Sequence, residues 1–222
     1  MSVFSARDRK TLRDMLTGLH RPVGILAFAP RHASDGVQAL LDELMVLADG
    51  RIHGQWTDPE EREALAAALG VSASPTFRFI GPTAEIAPVE MVGLPSGYQF
   101  GAFLNLLLAL NRGRLYLNHS VSGAVKNLSH DVVLEVVVSA TCPNCPEVVR
   151  LVQQCAMANP ARVFARSLDA AQHPDLVPAG VDAVPYTRIF VDSRLMAEKV
   201  GMMSSSQLWH LIQAGTKGEA QA

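Results

Sequence analysis

At 222 residues, 49% hydrophobic and 18% charged, the chain can bury a sizeable core and is long enough for one domain or for two of about 100 residues. A formal net charge of −2 with no run of basic residues leaves no electrostatic footprint for nucleic acid or an anionic membrane. The longest apolar stretch, 103–110, is interrupted by Asn105 and falls far short of the ~20 residues of a membrane span.

The first segment, 2–19, mixes Arg7, Asp8, Arg9, Lys10, Arg13 and Asp14 with Leu12, Met15, Leu16 and Leu19. It lacks the uninterrupted apolar run of a secretory signal and reads as an amphipathic helix. Apolar periodicity and Gly or Pro punctuation then predict a strand at 22–28, a helix at 35–47, a strand at 51–56 and a helix at 59–69. Two strands, 76–80 and 86–92, and a helix at 99–110 complete the first half. Residues 111–130 join the halves, with a connecting helix at 121–128. The second half repeats the plan: strand 132–139, helix 143–157, strand 162–167, helix 170–179, strands 186–191 and 196–200, and helix 205–214.

Two landmarks make this an internal repeat. Ser74-Pro75-Thr76 and Val184-Pro185-Tyr186 both precede strands, their prolines 110 residues apart, and Val92-Gly93 recurs as Val200-Gly201 at an offset of 108. Each half reads βαβαββα, a mixed sheet with helices on both faces. The boundary is expected between a first fold, 1–115, and a second, 116–222.

Cys142-Pro143-Asn144-Cys145 lies directly after the apolar run 132–138 and before a helical pattern, where a redox dithiol works. Unsatisfied backbone N–H groups and the positive dipole end at a helix start lower a thiol pKa, which marks Cys142 as the nucleophile. Cys145, three residues on and one turn inward, is placed to close the disulfide as the resolving thiol. Haem attachment is excluded because Pro146 replaces the histidine that must follow the second cysteine. A zinc site would need four ligands, and Cys155, His119, His130 and His173 have no ligand spacing. A structural disulfide is the other bland reading, though such bridges typically staple secreted chains. Cys155 reads as a buried small hydrophobe.

The first-half counterpart of the dithiol is Ala29-Pro30-Arg31-His32-Ala33-Ser34, which has no cysteine; Arg31 and His32 read as solvated loop residues. Pro75 and Pro185 precede strands, and base rates alone favour trans peptide bonds for both. Three cysteines and no signal sequence favour a cytoplasmic protein whose thiols cycle.

Together, Cys142-Pro143-Asn144-Cys145-Pro146-Glu147-Val148-Val149, Asn159-Pro160 and Val184-Pro185 resemble the thioredoxin superfamily, and within it the second fold of the N-terminal domain of the alkyl hydroperoxide reductase F subunit. Gly93-Leu94-Pro95-Ser96-Gly97-Tyr98-Gln99-Phe100 resembles that domain's first fold, and Lys199-Val200-Gly201 with Gln207-Leu208 resembles the end of thioredoxin. The resemblance implies two fused thioredoxin-like folds, only the second with a dithiol. It implies a cis peptide at Pro185 facing the thiols, with Val184, Pro185 and Thr141 forming the edge on which a partner docks. It implies electron transfer from a thioredoxin-reductase-like flavoprotein to a peroxiredoxin or another disulfide-bearing client.

The chain departs from that pattern in two ways. No G-x-G-x-x-G follows a strand, so FAD and NAD(P)H are expected on a partner, with no cofactor bound here. Gln99 stands where the family has a glutamate thought to tune the thiols; an amide cannot titrate, which leaves Glu135 on the preceding strand as the alternative tuning group. Pro143 is expected at the first helical position, and Pro146 to remove an early helical bond. Two other functions stay open: a general protein disulfide oxidoreductase or isomerase, and a non-enzymatic adaptor with a redox-insensitive dithiol. A homodimer is a further expectation left open.

Overall fold

The computed structural model describes residues 3–113 and 116–217. The chain forms two compact units. The first comprises Met1–Ala87, Val92–Leu94 and Leu107–Arg114; the second comprises Pro88–Met91, Pro95–Leu106 and Leu115–Ala222. Residue 115, at the boundary read from the repeat, lies outside the described residues, as does Ser2 at the expected start of the first helix.

In the first unit, α1 (Ala6–Leu16) begins at Ser5, whose hydroxyl accepts the Asp8 N–H as an N-cap. Strand β1 (Val23–Phe28) is buried along its whole length. It pairs in parallel with β2 (Ile52–Thr57) and antiparallel with β3 (Thr76–Ile80), and a central strand covered on both faces reads as such a continuous apolar run. Helix α2 (Asp35–Leu47) packs against β2 and buries Val37, Leu40, Leu41, Leu44 and Leu47. Helix α3 (Glu63–Ala68) is shorter than expected at its start. The Asp58 carboxylate accepts the Glu60 N–H and the Asp58 carbonyl that of Arg62, so residues 59–62 turn before the helix opens.

Strand β4 (Ile86–Val92) and helix α4 (Gly97–Arg112) contribute to both units. Near the C-terminal end of α4, the Asn111 amide accepts the His20 N–H and donates to the Arg21 carbonyl, within the first unit.

The strands of the second unit, β5 at 132–138, β6 at 163–169, β7 at 186–191 and β8 at 194–200, run with β4 in the order β4-β6-β5-β7-β8. Strand β5 (Val132–Val138) pairs in parallel with β6 (Val163–Asp169) and antiparallel with β7 (Tyr186–Val191), which pairs antiparallel with β8 (Arg194–Val200). The connecting helix α5 (His119–Lys126) is capped by Asn118 and joined to α6 (Cys145–Ala158) through the buried Asn159 amide, which donates to the Val125 carbonyl at 3.0 Å. Helix α6 buries Val148, Val149 and Val152, each contributing about 1.5–3 kcal/mol relative to exposure. Helix α7 (Ser205–Thr216) opens with a capping box between Ser204 and Gln207.

The helix expected at 170–179 is absent; the segment carries one 3-10 turn, Pro174–Leu176. The Asp169 carboxylate takes up the N–H groups of Ala171 and Gln172, and Pro174 and Pro178 supply no N–H, so the helical ladder has no start and an early break. From β5 to α7 the second repeat therefore reads βαβββα, with this turn in place of its second helix. On one face of its sheet, the register aligns Arg166 and Arg188 on either side of Glu135, and Glu198 beyond Arg188. Among the described residues, no helix is long and apolar enough to cross a membrane.

Candidate active site around the Cys142 and Cys145 dithiol

Strand β5 ends at Val138, and the chain turns through residues 139–144 before α6. The Ser139 carbonyl accepts the Cys142 N–H at 3.1 Å, and the Ser139 hydroxyl lies 3.1 Å from the Thr141 hydroxyl and accepts the Thr141 N–H. Cys142 and Cys145 form a disulfide with their Cα atoms 5.5 Å apart. Cys142 is half-buried and Cys145 has no exposed surface.

Helix α6 starts at Cys145, so Cys142 sits in the preceding turn rather than on the helical face it was expected to share. The chemical environment is nevertheless a helix start: the Cys145 N–H points at the Cys142 Sγ at 3.1 Å. A donor there stabilises a thiolate when the disulfide opens. Pro143 lies outside the helix, which corrects its expected place. Pro146 is the second helical residue, where the N–H has no intrahelical partner to lose, so no helical bond is sacrificed.

The Val184 carbonyl is 3.8 Å from the Cys142 Sγ, and the Val184–Pro185 peptide is cis. The Gly201 N–H donates to the Pro185 carbonyl at 2.8 Å, tying the end of β8 to this edge. The first unit repeats the device: Ser74–Pro75 is cis and the Gly93 N–H donates to the Pro75 carbonyl at 2.8 Å. Its loop carries no cysteine; Arg31 there pairs with Glu61, donates its N–H to Asp58 and lies 5.8 Å from the Trp56 ring centroid.

Gln99 and Glu135 are both buried but differ in their partners. The Gln99 Nε2 donates to the Ser139 carbonyl at 3.3 Å, directly on the dithiol loop. The Glu135 carboxylate is held by Arg188, whose Nε lies at 2.8 Å, and faces Arg166 at 3.7 Å. Arg166 in turn holds Glu90 at 2.6 Å. Cys155 is buried, and desolvation pushes its thiol up to about 12, so it stays protonated and unreactive near neutrality. Among the described residues, no group of three or more His, Cys, Asp or Glu side chains could hold a metal. The backbone carbonyls of Ser139 and Ala140 accept the Gln99 Nε2 and the Tyr98 N–H, contacts that no side-chain pattern in the sequence reports.

No family model matches the chain. A curated relative, the F subunit of the alkyl hydroperoxide reductase of Xanthomonas campestris pv. phaseoli, is 27% identical over 178 residues, covering 80% of this chain and 31% of the relative. The chain thus spans about a third of that protein's length. The solved NTD_N/C domain of the alkyl hydroperoxide reductase of Enterococcus faecalis superposes with a TM-score of 0.81 at 21% identity, covering 94% of this chain and 99% of that one. A protein disulfide oxidoreductase from Aeropyrum pernix gives 0.84 at 21% identity, with coverages of 98% and 96%. The chain has two fused thioredoxin-like folds and is similar to the N-terminal part of the alkyl hydroperoxide reductase F subunit.

Proposed function

We propose that the chain is a dithiol–disulfide oxidoreductase that carries electrons from a thioredoxin-reductase-like flavoprotein to a peroxiredoxin or another disulfide-bearing protein. The observation that carries this reading is the asymmetry of the pair: a half-buried Cys142 with an N–H donor at 3.1 Å, bonded to a wholly buried Cys145. The more accessible cysteine meets the partner and the buried one closes the cycle. In the reduced chain, the Cys142 thiolate attacks a partner disulfide, forming a mixed disulfide and releasing one partner thiolate. The Cys145 thiolate then attacks the Cys142 Sγ and releases the second. Two electrons pass to the client, the Cys142–Cys145 disulfide reforms, and the flavoprotein, holding FAD and NAD(P)H, reduces it again.

In this reading Thr141, Val184 and Pro185 form the edge along which the client strand lies, and Gln99 and Glu135 are the candidate tuning groups, of which Gln99 touches the loop. In the same reading the cysteine-free first fold, 1–115, supplies a rigid docking surface for partners, and 116–222 is the redox fold. The cytoplasm, where thiol pools keep such a pair cycling, is its proposed compartment.

The test is regeneration of an oxidised peroxiredoxin by catalytic amounts of the chain with a thioredoxin-reductase-type flavoprotein and NAD(P)H. Cys142→Ser abolishes turnover and Cys145→Ser accumulates a mixed disulfide; unchanged turnover in both variants would sink the assignment. The likeness to the Aeropyrum pernix protein keeps a second reading, a general disulfide oxidoreductase, for which the discriminating assay is recovery of a scrambled disulfide protein.

A further inference from the structure

Beyond the two cysteines, we infer that the first turn of α4 is a positioning element for Cys142, acting through the carbonyls of Ser139 and Ala140; this rests on the redox reading of the dithiol. The loop between β5 and α6 contains two consecutive carbonyls held from the same place. The Tyr98 N–H donates to the Ala140 carbonyl at 2.9 Å, and the Gln99 Nε2 donates to the Ser139 carbonyl at 3.3 Å. The Tyr98 N–H is among the helix-start donors that have no partner within their own helix, so the loop satisfies the helix while the helix fixes the loop.

The Ser139 carbonyl is shared, accepting both Gln99 Nε2 and the Cys142 N–H. Its oxygen can only accept, which fixes the Gln99 amide with its nitrogen toward the loop. Gln99 therefore bonds directly to the oxygen that anchors the backbone of Cys142. The close approach depends on Gly97: it has φ +52°, and a Cβ there would stand 2.2 Å from the Ala140 carbonyl oxygen.

Stability does not explain the amide, because the Gln99 Oε1 is buried without a hydrogen-bond partner, an arrangement that works against folding. What the amide supplies is a donor aimed at one carbonyl. Moving that carbonyl moves the Cys142 N–H and, with it, the sulfur relative to the Cys145 N–H and the Val184 carbonyl. A residue with this placement acts on thiol reactivity through geometry and touches neither client nor sulfur.

The experiment uses the full chain, reduced, with iodoacetamide as the probe of Cys142 and a dithiothreitol equilibrium for the Cys142/Cys145 couple. Gln99→Met keeps the length and removes the donor; Gln99→Asn keeps a donor but draws it back by one methylene. Both are expected to slow Cys142 alkylation about three- to tenfold at pH 7, the change one hydrogen bond makes, and to shift the dithiothreitol equilibrium constant by a similar factor. Asn105→Ala, at an exposed position of the same helix, leaves both readouts unchanged. If Gln99→Met does not fold, Gln99→Asn carries the test. A folded Gln99 variant with a changed unfolding midpoint but an alkylation rate and equilibrium constant within 1.5-fold (about 0.2 kcal/mol) of the parent overturns the inference. Because no peroxiredoxin or reductase enters these assays, failure of the proposed client leaves them standing, and their failure leaves the relay reading standing.

Discussion

Arg188→Met tests the charged row on the sheet of the second unit. Arg188 donates its Nε and Nη2 to one oxygen of Glu135. Without it, that carboxylate, 8% exposed, keeps only Arg166, whose Nη1 lies 3.7 Å from its other oxygen. Breaking a fully buried pair costs about 3–5 kcal/mol. Arg188 is 21% exposed, and Arg166 remains, so screening and the surviving partner reduce this to about 2 kcal/mol. The guanidinium also lies 5.4 Å from the Phe190 ring centroid, a contact contributing about 0.5 kcal/mol more. The expected loss is therefore about 2.5 kcal/mol, a fall in Tm of about 5–10 °C for a chain of this size. Urea unfolding of the parent, Arg188→Met, Glu135→Met and the double variant completes the cycle. The double variant should be at least about 1 kcal/mol more stable than the summed single effects allow, since it leaves no charge without its partner. A single-variant loss below about 0.5 kcal/mol, or additive behaviour, would refute the reasoning.

Cys155 should resist iodoacetamide in the folded, reduced chain at pH 8 while Cys142 reacts; peptide mass spectrometry that finds Cys155 labelled before unfolding contradicts its burial. Its thiol goes from an ordinary value near 9.0 to about 12 on folding. The folded state therefore holds its proton more tightly, and this contribution is fully present below pH 9 and is lost as pH rises toward 12. Gly97→Ala should destabilise the second unit by about 1–3 kcal/mol in urea, because it adds a left-handed non-glycine backbone to a clash with the Ala140 carbonyl; an unchanged midpoint would show that α4 can yield there. The hydrogen bond from His130 and the N–H of Asp131 hold the Asp192 carboxyl below its ordinary range. Its contribution is present above the unfolded-state carboxylate pKa and fades as pH falls through the folded value. The gap in unfolding midpoint between the parent and Asp192→Asn should accordingly shrink under acid titration, and a gap that widens would reverse the sign.

Local pattern and tertiary contact divided the information. Six strands were readable to within a residue at each end because alternation and apolar runs are properties of neighbouring residues. The dithiol was readable because its chemistry needs only two cysteines three apart before a helix. The segment 170–179 misled, since its apolar spacing is helical while Asp169, Pro174 and Pro178 divert the backbone hydrogen bonds.

By itself, then, the sequence determined six of the strands, the position of the disulfide pair and the burial of Cys155, all of which follow from short-range patterning. Only the tertiary structure decided that Gln99 reaches a loop 40 residues away, that Glu135 is committed to Arg188 and Arg166 in its strand register, and that Cys142 precedes α6 instead of opening it. Those facts depend on which strands adjoin and on where a helix start meets a loop. Such contacts leave no period in the chain, because the residues that make them are brought together only by the closing of the fold.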